Sequence, residues 1–230
     1  MKIFACALAA AVMLSACDDV TVADGGTGGD TPATPAEGVE QAVKGTLDGV
    51  TFNAAAETLL VTVRSLDGDT VATAYARNNT YDQDGYIAFT QQDDALDRFF
   101  TGMAATSADG TSQAVVVMDG GQFNRYFGGV NYAQIGTYTA PTSGLASYAG
   151  DYVGLLNVGT RTGTLSSGAS NNILPYRSGQ VTGDIFLNVD FADNKVNGAI
   201  YNRVDVDSVG INVDTVFLPA TALNADGSFA

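Results

Sequence analysis

Histidine and tryptophan are both missing from this chain of 230 residues, and the two cysteines are Cys6 and Cys17. Without histidine there is no Ser-His-Asp or Cys-His nucleophile pair, no imidazole zinc ligand and no imidazole general base. Basic residues are scarce as well: Lys and Arg number 10 against 25 Asp and Glu, a net charge of −15. That balance argues against nucleic acid and anionic lipid headgroups as partners, because the field of the whole chain repels phosphates. Glutamate is nearly gone too, with none after Glu57, so aspartate carries the acidity. Aspartate bonds its own backbone in turns and is a poor helix former, which favours a turn-rich β chain. The 11 Phe and 10 Tyr supply the large apolar surfaces that a sheet core needs.

What is present begins with a leader. Lys2 gives a positive start, Ile3 to Leu14 an apolar run too short to span a bilayer, and Ser15 and Ala16 the small residues before a cleavage point. Leu14-Ser15-Ala16-Cys17 resembles the bacterial lipobox, in which the cysteine thiol is acylated and becomes the new N-terminus. The alternative is a plain secretory signal followed by an incidental cysteine. On the first reading residues 1–16 leave, Cys6 with them, and Cys17 carries the lipid. Nine basic residues then face 25 acidic ones, a net charge of −16. No thiol nucleophile and no internal disulfide remain. Several acyl chains hold a protein firmly where one holds it marginally, so the expectation is a lipoprotein of the cell envelope, in the outer membrane and surface-exposed, with the leaflet left open.

Residues 17–41 are rich in Gly, Thr, Pro and Asp and lack aromatics, and are expected to serve as a tether of on the order of 25–30 Å. Beyond it, short β-type runs alternate with Asp, Gly and Asn. Thr58 to Leu66 and Thr70 to Asn78 form a predicted hairpin around Asp67-Gly68-Asp69, and Arg98 to Ser107 and Ser112 to Asp119 another. Tyr86 to Gln91 and Tyr126 to Tyr138 read as further strands, and Asp93 to Phe100 as one helical turn at most. The strongest alternation lies later. Val181, Ile185, Leu187, Val189 and Phe191 share one strand face, and Thr182, Asp184, Asn188 and Asp190 the other. After Asp193-Asn194, Val196, Ile200, Val204 and Val206 take one face, with Asn197, Tyr201, Arg203 and Asp205 opposite. Val209, Ile211, Val213, Thr215 and Phe217 continue the meander. The predicted class is all-β: residues 42–140 form a smaller β-rich region, and residues 141–230 an antiparallel meander closing into a barrel of about eight strands.

Tyr148-Ala-Gly-Asp-Tyr-Val-Gly154 and Gly179 to Tyr201, with Val189-Asp190-Phe191, the turn Asp193-Asn194-Lys195 and Val196-Asn197-Gly198 in order, resemble the β-barrel domain of the transferrin-binding protein B family. Asn224 to Phe229 resembles a later strand of that domain. The likeness covers about Tyr148 to Ala230. It implies an envelope lipoprotein that captures a macromolecule through variable loops, the ligand not necessarily being transferrin.

Several constellations have two readings. Asp82, Asp84 and Gly85 stand at EF-hand spacing, but Thr80 and Gln91 occupy the first and last ligand positions, so a hairpin turn is the expectation and no metal site is assigned. Asp184 and Asp190 could pair for acid-base work, yet a solvated strand face is the simpler reading. Gly120-Gly121 and Gly128-Gly129 are not followed by Lys-Ser/Thr and read as turns or bulges. The polar stretch from Gly159 to Gly179 is too long for a hairpin and is the preferred partner-contact loop, with Tyr176 and Arg177 as contact residues. No catalytic residue and no cofactor are assigned. The rival function is an envelope barrel holding a small apolar ligand, as lipocalins do; a side-chain-filled interior favours the macromolecule-binding reading.

Overall fold

A computed structural model describes residues 44–65, 67–123, 125–135, 138–157, 159, 162, 174–207, 211–225 and 227–229. Cys17, the tether and most of the 159–179 stretch lie outside the described residues. Among those described, the regular elements are twelve strands and one 3-10 turn at Asn79–Tyr81.

The first seven strands are β1 (Leu47–Asn53), β2 (Thr58–Arg64), β3 (Thr70–Arg77), β4 (Ile87–Gln91), β5 (Phe100–Thr106), β6 (Ser112–Asp119) and β7 (Gly128–Gln134). They pair antiparallel in chain order, so the sheet is a meander. Turn chemistry dictates its corners. Asp84 (φ 43°) and Gly85 (φ 82°) both occupy the left-handed region between the bridged residues Gln83 and Tyr86, the two-residue Asp-Gly corner whose twist matches antiparallel strands. The calcium-like spacing is therefore a hairpin turn, and Asp82 beside it is held by the Arg77 guanidinium at 2.6 and 2.7 Å. Asp93 to Phe100 forms no helix: Asp94 caps a turn by accepting from Leu96 N–H, and Phe100 opens β5.

The meander curls until its first and last strands nearly meet. Thr46 N–H donates to Gly128 O at 3.0 Å, and Gly128 N–H donates to Thr46 Oγ1 at 2.9 Å. Gly128-Gly129 is what allows this approach, since a Cβ on Gly129 would lie 1.9 Å from Lys44 O. The pair is a contact point between chain segments, a stronger constraint than the turn or bulge expected for it. Inside the curl pack Leu47, Val50, Phe52, Leu59, Val61, Tyr75, Phe89, Ala104, Val115 and Val117. Leu59 fills the space that the absent side chain of Gly102 leaves, 2.7 Å from where a Cβ would stand.

The remaining strands are β8 (Leu145–Leu156), β9 (Gly179–Asp190), β10 (Lys195–Asp205), β11 (Ile211–Asn212) and β12 (Val216–Ala222). β8, β9 and β10 are neighbours, and β11 and β12 lie end to end along the outer edge of β10. The fold is thus all-β and antiparallel as predicted, but the nearly closed sheet is the N-terminal one, and residues 145–222 form the smaller, open sheet. The β9 register agrees with its alternation: Val181, Ile185, Leu187, Val189 and Phe191 are buried and Asn188 is exposed.

The β10 pattern holds only halfway. Val196 and Ile200 are buried, but the register slips between Tyr201 and Val204, where Asn202 takes φ 51°. This bulge inserts a residue and inverts the faces. Arg203, expected outside, turns inward over Gly183, stacks 5.4 Å from the Tyr152 ring and donates to Asp214 O; Val204 moves to the outer face. A second break precedes β12, so Val216 and Leu218 pack inward and Phe217 stands out, 77% exposed. The described residues of 224–229 add no strand; Asn224 and Ser228 close a turn.

The two sheets meet face to face. Tyr86, Ala88, Met103, Ala105, Val116 and Met118 on the outside of β4–β6 and the residue before them pack against Val153 and Leu155 of β8. β5 and β6 are therefore covered on both faces, which explains why Thr101–Ala105 and Val115–Asp119 are buried without alternation.

Candidate functional site

One end of the meander gathers the connections after β4 and β6 together with the point where the chain enters β1. Asp119, the last residue of β6, is 1% exposed. Its backbone N–H donates to Phe127 O, and its Oδ1 accepts from Phe127 N–H at 2.8 Å, which closes the β6–β7 connection on itself. Arg98, just before β5, pairs with the other carboxylate oxygen, lies 4.6 Å over the Phe127 ring, and donates to Arg125 O at 3.0 Å and Gln122 O at 3.1 Å. Gln122 returns the link by donating from its side chain to Leu96 O at 2.8 Å. Two loops are thus braced as one body.

Burial pushes the Asp119 carboxyl above the usual carboxylate range, against the opposing pull of the Phe127 N–H and the Arg98 guanidinium. Burial also raises the Tyr75 phenol inside the barrel, with the Asp119 charge adding to it. The Asp119 oxygens accept from Phe127 N–H and from Arg98, and the Gly121 backbone also favours the carboxylate. In this geometry the carboxylate braces the loop end.

What the brace holds is an apolar tip. Gln122 and Arg125 exchange backbone hydrogen bonds at 2.9 and 3.0 Å, and between them Phe123 stands at φ 53° with 72% of its surface exposed. Leu96, whose carbonyl accepts from Gln122, and Tyr126, next to Arg125, are 48% and 42% exposed on the same two braced loops. A bulky residue in the left-handed region costs about 1–3 kcal/mol and persists where its surroundings enforce it. Sequence reading missed this tip because aromatics were assigned to the core. The legible signal was the stretch from Gln122 to Phe127, held between Gly120-Gly121 and Gly128-Gly129 with three aromatics and Arg125 but no acid.

The sequence-predicted contact residues lie nearby, in the seam between the sheets. Tyr176 N–H donates to Gly121 O at 3.2 Å and Tyr176 O accepts from Gly120 N–H at 3.0 Å. A Cβ on Gly120 would lie 2.3 Å from Arg177 O, so this glycine pair, like the other, is a backbone docking point. Arg177 turns inward: it pairs with Asp207 and lies 4.7 Å over the Tyr81 ring. Beside it Gln180 donates to Tyr81 O at 2.8 Å and reaches Met103 Sδ at 3.3 Å. Arg177 is positioned to fix the base of the 159–179 connection. Asp184 and Asp190 do not come together; Asn202 bonds the first, and the second caps the β9–β10 turn through Ala192 and Asp193 N–H. Among the described residues no group of three acidic or thiol side chains is placed to hold a metal.

Fold and site together define an all-β, two-sheet protein whose first sheet has a side-chain-filled interior and a braced loop end. Comparison with protein-family models, with curated proteins and with solved structures finds no match to this chain.

Proposed function

We propose that the protein is an envelope lipoprotein, acylated at Cys17, whose β scaffold is a macromolecule-binding module and performs no catalysis. The observation that carries the reading is the pinned connection from Gly159 to Gly179. Its C-terminal base is tied to the barrel by Tyr176 at Gly120-Gly121 and by Arg177 on Asp207 and Tyr81. Rigid scaffolds carry recognition on such connections because changes there leave the core undisturbed. The resemblance of Tyr148 to Tyr201 to the transferrin-binding protein B family supports the same reading, and that stretch runs through β8, β9 and most of β10. In this reading the outer membrane is the location, a macromolecule such as a protein the partner, and nucleic acid is disfavoured by the charge of −15. The rival, a lipocalin-like carrier, is disfavoured by the way Leu59, Tyr75 and Val117 close around Gly102 in the barrel interior.

The test has two arms. Replacing residues 163–173 with a short Gly/Ser linker is expected to leave the circular dichroism and melt unchanged, while partners recovered from the envelope by pull-down are lost; unchanged partners would move the binding surface elsewhere. Cys17→Ser is expected to release the protein from the membrane fraction or leave its leader uncleaved. Processing and partitioning like wild type would sink the anchoring claim.

A further inference from the structure

We propose that the tip formed by Leu96, Phe123 and Tyr126 rests in the interfacial layer of the membrane, so that the barrel stands on the bilayer with its loop end down. The inference depends on anchoring at Cys17 and adds an orientation and a second point of contact. Three observations carry it.

The first is where the chain enters. Thr46 bonds Gly128, one residue beyond Phe127, so the segment leading back to Cys17 reaches the barrel at the end that bears the tip. Twenty-six residues separate Cys17 from Lys44. With the entry end down, that segment need only reach the membrane; with the entry end up, it must also run the length of the barrel.

The second is the tip itself. Phe and Tyr beside Leu are the side chains that settle at a membrane-water interface, where an apolar body and a polar edge are both accommodated. Phe123 is the second most exposed aromatic among the described residues, and it is fixed in a left-handed conformation by the Arg98–Asp119 brace. A backbone turn already held in place costs little conformational entropy when it is inserted.

The third is charge. Arg125 is the one charged residue between Gly120 and Gly129, while Asp93, Asp94 and Asp97 stand on the adjacent loop. Asp93 accepts from Gln91 and Asp94 from Leu96 N–H. These carboxylates set the depth: the tip enters and they remain among the headgroups. With the net charge at −16 from Cys17 onward, the interface that fits is zwitterionic, since an anionic one repels the chain.

The chain has no tryptophan, and from Cys17 onward it has one thiol, Cys17 itself. A chain beginning at Cys17 is therefore coupled through that thiol to a maleimide lipid in phosphatidylcholine vesicles, and Phe123→Trp provides a single fluorophore. Expected is a shift of emission to shorter wavelength on coupling and a loss of intensity when the lipid acyl chains are brominated. Phe217→Trp, on the far sheet, is expected to emit as in water and to resist bromolipid. Tyr126→Trp provides a second probe of the tip and is expected to behave as Phe123→Trp does. Unshifted, unquenched emission from both tip probes would overturn the proposal, as would equal quenching at position 217. Because the coupling supplies the tether, this result is independent of native acylation, which mass spectrometry of the N-terminal peptide from membranes decides separately.

Discussion

Asp119 is the buried carboxylate on which the loop end depends, and its pH behaviour separates it from the other aspartates. Its carboxyl is raised by burial beyond what Phe127 and Arg98 offset. Such a group binds its proton more tightly in the folded chain than in the unfolded one, whose carboxyl titrates at about 3.9. Stability therefore falls as pH rises through the window between those values, and is regained on acidification. Asp109 is the opposite case: bonds from Ser107, Thr111 N–H and the Thr111 hydroxyl hold its carboxyl below the usual range. Its contribution is present above the unfolded value and is lost as pH falls through the folded one. Thermal melts from pH 7 down to pH 3 are expected to show the wild type gaining on Asp119→Asn as pH falls, and losing ground against Asp109→Asn. Parallel curves for both variants would remove the assigned environments. The sequence holds no trace of this difference, because both residues end or follow apolar β runs and only the three-dimensional surroundings tell a brace from a turn cap.

At the scale of single elements, local chemistry was legible and tertiary fit was not. Asp67-Gly68-Asp69 and Asp84-Gly85 mark corners that form where turn residues demand them. Strict alternation located β9 and its buried face, and that register carries a prediction. Val189 is 6% exposed among Val181, Ile185 and Leu187, whereas its neighbour Asn188 faces solvent. Val189→Asp is expected to cost about 3–5 kcal/mol through an unpaired buried carboxylate, and Asn188→Asp under about 0.5 kcal/mol. Chemical denaturation of the two variants compares them, and similar midpoints would refute the register. β10 defeated the same logic because its bulge at Asn202 answers to a distant requirement, the space above Gly183 into which Arg203 turns to meet Tyr152. The remote contacts of the glycine pairs were illegible for the same reason: Gly120 and Gly129 are small to admit Arg177 O and Lys44 O from distant segments.

For the molecule as a whole, the question is whether the two sheets fold as one body, and β8 holds the answer. Val153 and Leu155 lie on the same face of this strand as Ala149 and Asp151, since alternate residues point the same way. Along that face the environment changes. Val153 and Leu155 are each 1% exposed against the outside of the barrel, whereas Ala149 and Asp151 are exposed. One half of the strand docks on the first sheet, and the other projects beyond it. Beside the docked half, buried Gln180 and half-buried Tyr81, Arg177 and Asp207 add a polar seam. Full burial of a Val or Leu side chain contributes about 1.5–3 kcal/mol, enough with the seam to tie the unfolding of the two sheets together. Val153→Asp is therefore expected to destabilise by about 3–5 kcal/mol, while Ala149→Asp, on the same face of the same strand, stays within about 0.5 kcal/mol. Hydrogen exchange discriminates further. In wild type the amides of β5 and β9 should exchange through one shared opening; in Val153→Asp, β9 should lose protection before β5. Separate openings of β5 and β9 in wild type, or no loss of protection in either strand of Val153→Asp, would mean that the packing of β8 on β5 and β6 does not couple the sheets.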